Sequence, residues 1–191
     1  MAVNLVKGNR VNLTKDTGLK KALLGLGWDI NRFDGSADFD LDLVLFECDE
    51  NSRIVDDDHF IFYGNLKDPE GAVVHSGDNR TGAGDGDDES AHVDFSKIDP
   101  RVARIFIGVT IYEARANRQN FGMVDNSYIR IVNEETGKEM YRYPLCEEVS
   151  DQLSVIFGEI YKNGAEWKFK AVGDGYKKEL VDFCHEYGVN V

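Results

Sequence analysis

The sequence predicts an all-β fold, a β-sandwich of two mostly antiparallel sheets with a C-terminal α-helix packed on it. Three observations predict it. Short apolar and β-branched segments follow one another with turn residues between them, the pattern of a sandwich rather than of alternating strands and helices. Phe39, Leu41, Leu43 and Leu45 alternate along one face of a single segment, and that period of two is a strand's. Convincing helical spacing comes near the C-terminus, at Leu180, Phe183, Cys184 and Tyr187. The 191 residues are enough for one domain with a sizeable core, and no repeat or linker divides residues 1–191.

Taken in order, Val3–Val6 and Arg10–Leu13 read as strands around the turn pair Gly8-Asn9. Asp16-Thr17-Gly18 makes another turn, and Ala22–Trp28 is an apolar stretch punctuated by glycine. Phe39–Cys48 is the strongest strand. Its second face opens with Asp40 and Asp42 and turns apolar at Val44 and Phe46, so it is expected to be central, with two carboxylates side by side at its entry. His59–Tyr63 and Gly71–His75 come next, and Ala91–Phe95 and Arg104–Glu113 after them. A short helical piece is expected over Ala114–Phe121. Ser127–Asn133 and Lys138–Leu145 flank Glu134-Glu135-Thr136-Gly137, a hairpin turn by composition. Val155–Lys162 and Glu166–Val172 flank Asn163-Gly164, the strongest two-residue hairpin signal in the chain. Asp174 is expected to cap the final helix and Gly188 to end it.

Bulk properties narrow the function. A net charge of −13 and a pI near 4.7 argue against nucleic acid or an anionic membrane as partner. Cys48, Cys146 and Cys184 are odd in number and widely spaced, which suggests neither a disulfide framework nor a zinc site. The first residues do not read as a signal peptide, and no apolar run approaches membrane-spanning length. A cytoplasmic protein with no direct membrane insertion is expected.

The chain is organised around Gly77–Glu89, where nearly every residue is glycine or an oxygen donor. Glycine lets such a segment curl tightly and aim carbonyls inward. Asp78, Asn79, Asp85, Asp87, Asp88 and Glu89 supply hard oxygen ligands, and Gly82 offers a backbone carbonyl. Six to eight oxygens in a flexible shell are what Ca²⁺ takes. Two carboxylates about 5 Å apart repel by roughly 3 kcal/mol at an effective dielectric near 20, so an ordered loop of this kind favours a cation. The competing reading is a solvated acidic surface loop. The segment is not an EF-hand, because Arg80 and Gly82 stand where that loop carries oxygen side chains and Ala83 where it needs glycine. Asp40 and Asp42, two apart in a strand and so on one face, could close the shell from below. Asp29 and Asn126 read equally well as ligands or as turn residues. His75 and His92 flank the loop but lack cysteine partners at ligand spacing, and read as ordinary strand residues.

Several blocks in order carry a resemblance. They are Gly25-Leu26-Gly27-Trp28-Asp29, Phe39-Asp40-Leu41-Asp42, the Gly77–Glu89 segment, Gln119-Asn120-Phe121-Gly122, Asn126–Ile131 and Phe157–Tyr161 before Trp167-Lys168-Phe169. Over nearly the whole chain the sequence resembles the TerD family of tellurium-resistance and stress-response proteins. That resemblance implies a cytoplasmic calcium-binding β-sandwich with two calcium ions near the acidic loop. It also implies a role in tellurite resistance beside sibling proteins of the same kind, and no enzymatic activity. Two departures stand out. Ala83 occupies a position where an acidic residue is common, and Val44 and Leu45 positions where smaller residues are usual.

The expected function is that of a calcium-binding, non-enzymatic stress-response protein. An alternative is a metal-dependent hydrolase of phosphorylated or anionic substrates, since clustered carboxylates could hold ions that activate water. Against it, no basic or histidine partner for the substrate's charge is evident. A third reading is a structural interaction module whose acidic loop only solubilises.

Overall fold

Alternating and β-branched runs form twelve strands in the computed structural model, which describes residues 2–29, 39–77, 86–144 and 149–191. In chain order these are β1 (Val3–Asn4), β2 (Arg10–Asn12), β3 (Lys21–Asp29), β4 (Leu41–Cys48), β5 (Phe60–Ile61) and β6 (Val73–His75). Then come β7 (Glu89–Asp94), β8 (Arg104–Ile111), β9 (Asp125–Asn133), β10 (Lys138–Pro144), β11 (Ser154–Asn163) and β12 (Glu166–Tyr176). They make two six-stranded sheets, ordered β1-β10-β9-β3-β7-β6 and β2-β12-β11-β8-β4-β5. Every named pairing is antiparallel except β1 with β10.

The main core lies between the sheets. Leu41, Leu43 and Leu45 of β4 enter it together with Leu24 and Leu26 of β3 and Ile105, Ile107 and Val109 of β8. The other face of β4 is buried as well. Val44, Phe46 and Cys48 form a second cluster with Phe183 and Cys184 of the C-terminal helix. This explains why all eight residues of β4 are buried although only every second one faces the sandwich. The two-layer core with a helix laid on its outside is the expected all-β architecture.

Boundaries moved where long-range pairing overrode local signals. Asp174 does not cap the helix, because it lies within β12 opposite Ile156. The helix instead spans Leu180–Tyr187, with the Glu179 N–H donating to Asp182 Oδ2 at 3.1 Å. Gly188, at φ +87°, closes it as anticipated. The expected helix over Ala114–Phe121 is a single turn, Ala114–Asn117, stopped by Arg118 in the left-handed region, with a separate 3₁₀ turn at Phe121–Met123. The last hairpin pairs Asn163 with Glu166, so its turn is Gly164-Ala165, one residue later than the Asn163-Gly164 pair. The expected strand over His59–Tyr63 shrinks to β5, preceded by a 3₁₀ turn at Asp57–His59.

Candidate metal centre

The end of β3 and the start of β7 lie side by side, with Leu26 opposite Glu89. This register brings Asp29, Asp87, Asp88 and Glu89 to one rim of the first sheet. The chain holds them there with backbone donors. Asp88 donates its own N–H to the Leu26 carbonyl at 2.8 Å, and its carboxylate accepts the Trp28 N–H at 3.0 Å. Glu89 lies on the inward face of β7 with Ala91 and Val93. Its carboxylate crosses the sandwich and accepts the Leu43 N–H at 2.6 Å. Leu43 precedes the stretch of β4 that pairs with β5, so its edge amide is open to Glu89.

His75 completes this crossing. Its Nδ1 accepts the Gly77 N–H at 3.0 Å, which leaves Nε2 to donate to the Leu43 carbonyl at 3.2 Å. Both ring nitrogens therefore serve the backbone at the mouth of the acidic segment. His92 pairs with Glu134 on the far side of the sheet.

Asp87 has a different environment. Its carboxylate accepts Arg130 Nε at 2.8 and 3.0 Å and Tyr128 Oη at 3.3 Å. Arg130 also reaches Glu139. Tyr128 Oη donates to the Gly86 carbonyl at 3.0 Å. The carboxylate rests on Gly25 and the Tyr128 ring on Gly27, so the glycine-punctuated stretch of β3 is a floor kept flat for these two side chains. Asp29 accepts the side-chain amide of Asn126 at 2.6 Å, and Asn126 sits in the left-handed region at φ +51°. The two residues that read equally well as ligands or turns bind each other.

Apart from Arg130 beside Asp87, the charge around Asp88 is negative. Burial holds the Asp88 carboxyl above its ordinary range; the Trp28 N–H opposes that, and Asp87, Asp29 and Glu89 add to it. Asp42 is buried opposite Thr110 of β8 and lines a groove with Thr110, Tyr112 and Leu180, on the helix-bearing side of β4. The Asp40 carbonyl accepts the Tyr112 N–H at 2.9 Å. Asp78, Asn79, Gly82 and Asp85 lie outside the described residues. Among those described, the rim brings together Asp87, Asp88 and Glu89, with Asp29 added.

Sequence reasoning passed over a second group. Glu47, His59 and Asp68, and His59 with Glu70 and Asp99, converge at the other end of β4. The signal available was parity, since Glu47 continues the inward row of Leu41, Leu43 and Leu45.

The fold and this rim define an all-β sandwich with a carboxylate-rich edge. The chain belongs to the TerD family, whose TerD domain matches residues 1–187. It is 46% identical over its whole length to Tellurium resistance protein TerD of Serratia marcescens, covering 99% of that protein. It is 46% identical to General stress protein 16U of Bacillus subtilis (strain 168) and 50% identical to Uncharacterized protein YceE of the same organism, each over the full length of both chains. The crystal structure of a homologue of telluride resistance protein (TerD) from Streptomyces coelicolor A3(2) shares the fold, with a TM-score of 0.72 at 23% identity over 91% of this chain and all of that one. The family is one of tellurium-resistance and stress-response proteins. Among the described residues no helix is long and apolar enough to cross a membrane.

Proposed function

We propose that the protein is a calcium-binding, non-enzymatic stress-response protein of the cytoplasm that contributes to tellurite resistance, acting beside sibling proteins of its family. One observation carries the calcium reading. Asp88 and Glu89 are successive carboxylates, each pinned by a backbone N–H on a different sheet, Trp28 and Leu43. Such pinning preorganises hard oxygen donors at the foot of the glycine-aspartate segment and supports a large, irregular oxygen shell. Asp88 and Glu89 would hold the metal with Asp78, Asn79, Gly82 and Asp85, while Asp42, in the groove on the helix-bearing side of β4, stands apart from them. Asp87 joins only by sharing its carboxylate with Arg130. The family resemblance supports two ions. A bound cation would offset the repulsion along this rim and tie the segment to both sheets.

Calorimetric titration of metal-stripped protein tests the reading. Calcium is expected to bind with a dissociation constant of roughly 10⁻⁷–10⁻⁵ M, and Mg²⁺ far more weakly. Asp88→Asn should weaken calcium binding. Asp16→Asn, on the turn leading into the opposite end of β3, should leave it unchanged. Equal affinities for both ions, or equal effects of both substitutions, would reduce the site to diffuse charge. Phosphate release from simple phosphomonoesters with Ca²⁺, Mg²⁺ or Mn²⁺ would overturn the non-enzymatic part and favour the hydrolase.

A further inference from the structure

We propose that Glu47, His59 and Asp68, with Glu70 and Asp99 at their border, form a second metal site that takes a divalent first-row transition ion such as Zn²⁺ or Mn²⁺. It uses none of the residues of the calcium rim. Leu43, where Glu89 docks, and Glu47 are four residues apart on β4, or about 13 Å at roughly 3.3 Å per residue.

The first ground is geometric. One ligand atom from each of Glu47, His59 and Asp68 lies within 4.8 Å of the other two, and the same holds for His59, Glu70 and Asp99. His59 Nε2 faces Glu70 at 3.3 Å and Asp99 at 3.8 Å. A first-row ion with bonds of about 2.0–2.2 Å keeps its ligand atoms within roughly 4.4 Å of one another. Three ligand atoms up to 4.8 Å apart close on such an ion through side-chain shifts of under about 1 Å each.

The second ground is polar accounting. Glu47 and His59 are 0% exposed and Asp68 is 1% exposed. Both carboxylate oxygens of Glu47, Nε2 of His59 and Oδ2 of Asp68 are buried without a hydrogen bond. Buried polar atoms almost always find partners, and four orphans aimed at one another point to a missing one. Their other atoms are anchored in a way that aims the orphans inward. Asp68 Oδ1 accepts the Val73 N–H at 2.9 Å. His59 Nδ1 is hydrogen-bonded to Asp56 at 2.5 Å, the carboxylate–imidazole arrangement that fixes the ring of a metal-ligating histidine.

Charge agrees. Arg101 pairs with Asp99 at 2.7 Å and Asp56 at 3.1 Å. Among the described residues no lysine or arginine pairs with Glu47, Asp68 or Glu70. The Glu47 carboxyl is wholly buried, with Asp68, Glu70, Asp99 and Asp56 around it. A dication supplies the compensation that the protein lacks there. The imidazole among carboxylates selects a transition ion over Ca²⁺ or Mg²⁺, which take oxygen.

The test uses full-length protein, stripped by chelator and then held in excess calcium so that the acidic rim is saturated. Zn²⁺ and Mn²⁺ are titrated in turn. One further equivalent is expected to bind. Glu47→Gln should weaken that binding by more than the roughly 10–100-fold that loss of an outer partner costs, and Asp56→Asn, which only orients the ring, by about that amount. Glu70→Gln, on the surface and so tolerated by the fold, should weaken it about tenfold or more. In the unmutated protein Mn²⁺ should broaden the ring resonances of His59 and leave those of His92 sharp. No additional equivalent, equal affinity in Glu47→Gln, or unbroadened His59 resonances would overturn the proposal and leave a buried cluster that shares a proton.

Discussion

At Gly25 a single missing methyl group decides whether Asp87 can reach its place. A Cβ there would overlap the Asp87 carboxylate, and one at Gly27 would overlap the Tyr128 ring. Neither neighbour is free to retreat, since Asp87 is held by Arg130 and Tyr128 is held through Gly86. Gly25→Ala is therefore expected to push the carboxylate off Arg130 and to destabilise the protein by about 1–3 kcal/mol, the usual cost of overpacking. Urea unfolding without calcium measures this. A midpoint equal to that of the unmutated chain would show that the rim absorbs the methyl and that the close approach is not required.

At the scale of elements, the β9–β10 hairpin carries a charge network that should give stability an acid limit. Arg142 donates to Glu139 at 2.7 and 3.0 Å, and Arg130 adds a contact at 3.1 Å. The Arg142 hydrogen bonds, helped by Arg130 and opposed by burial, hold the Glu139 carboxyl below its ordinary range. A depressed folded-state pKa stabilises the protein above the unfolded value of about 4.3, and the contribution disappears as pH falls through the folded value. The stability difference between the unmutated protein and Glu139→Gln should then be largest near neutrality and shrink below about pH 4. Chemical denaturation across that range checks it, and a difference independent of pH would count against the network. The C-terminal helix offers a second case. Phe183 is buried edge-on against Phe46 of β4 and Tyr176 of β12. Phe183→Ala should destabilise by about 3–5 kcal/mol in thermal or denaturant melts, because a large side chain leaves a covered face.

For the whole molecule, calcium should act as a stabiliser by mass action. An ion that binds only the folded sandwich adds roughly 2.7 kcal/mol at a free concentration about a hundred times its dissociation constant. For a chain of this size each kcal/mol moves Tm by about 2–4 °C, so one site should raise it by roughly 5–11 °C. Calorimetric scans in chelator and in saturating calcium, at matched ionic strength, make the comparison. An unchanged Tm would favour the solvated-loop reading and the structural module.

What the sequence by itself determined was local. Alternation along Phe39–Cys48 marked a strand and its inward row, because successive side chains must point to opposite faces whatever the strand pairs with. Glu134-Glu135-Thr136-Gly137 marked its hairpin, with Asn133 opposite Lys138, because a turn's residues suit its backbone angles without outside help. The crowding of carboxylates between Asp85 and Glu89 was equally plain, being a matter of composition. Tertiary structure decided the rest. Asp174 looks like a helix cap, yet ladder pairing with β11 keeps it in a strand. β1 runs parallel to β10, more than a hundred residues distant, and no local pattern reports such a partner. Asp87 reads as one more oxygen donor until Arg130 arrives from β9 to bind it. Glu47, His59, Asp68 and Asp99 come from a strand and separate connecting turns with no shared spacing. Periodicity tells which way a side chain faces, but what it meets there is set by long-range packing, and only packing gathers those carboxylates about His59.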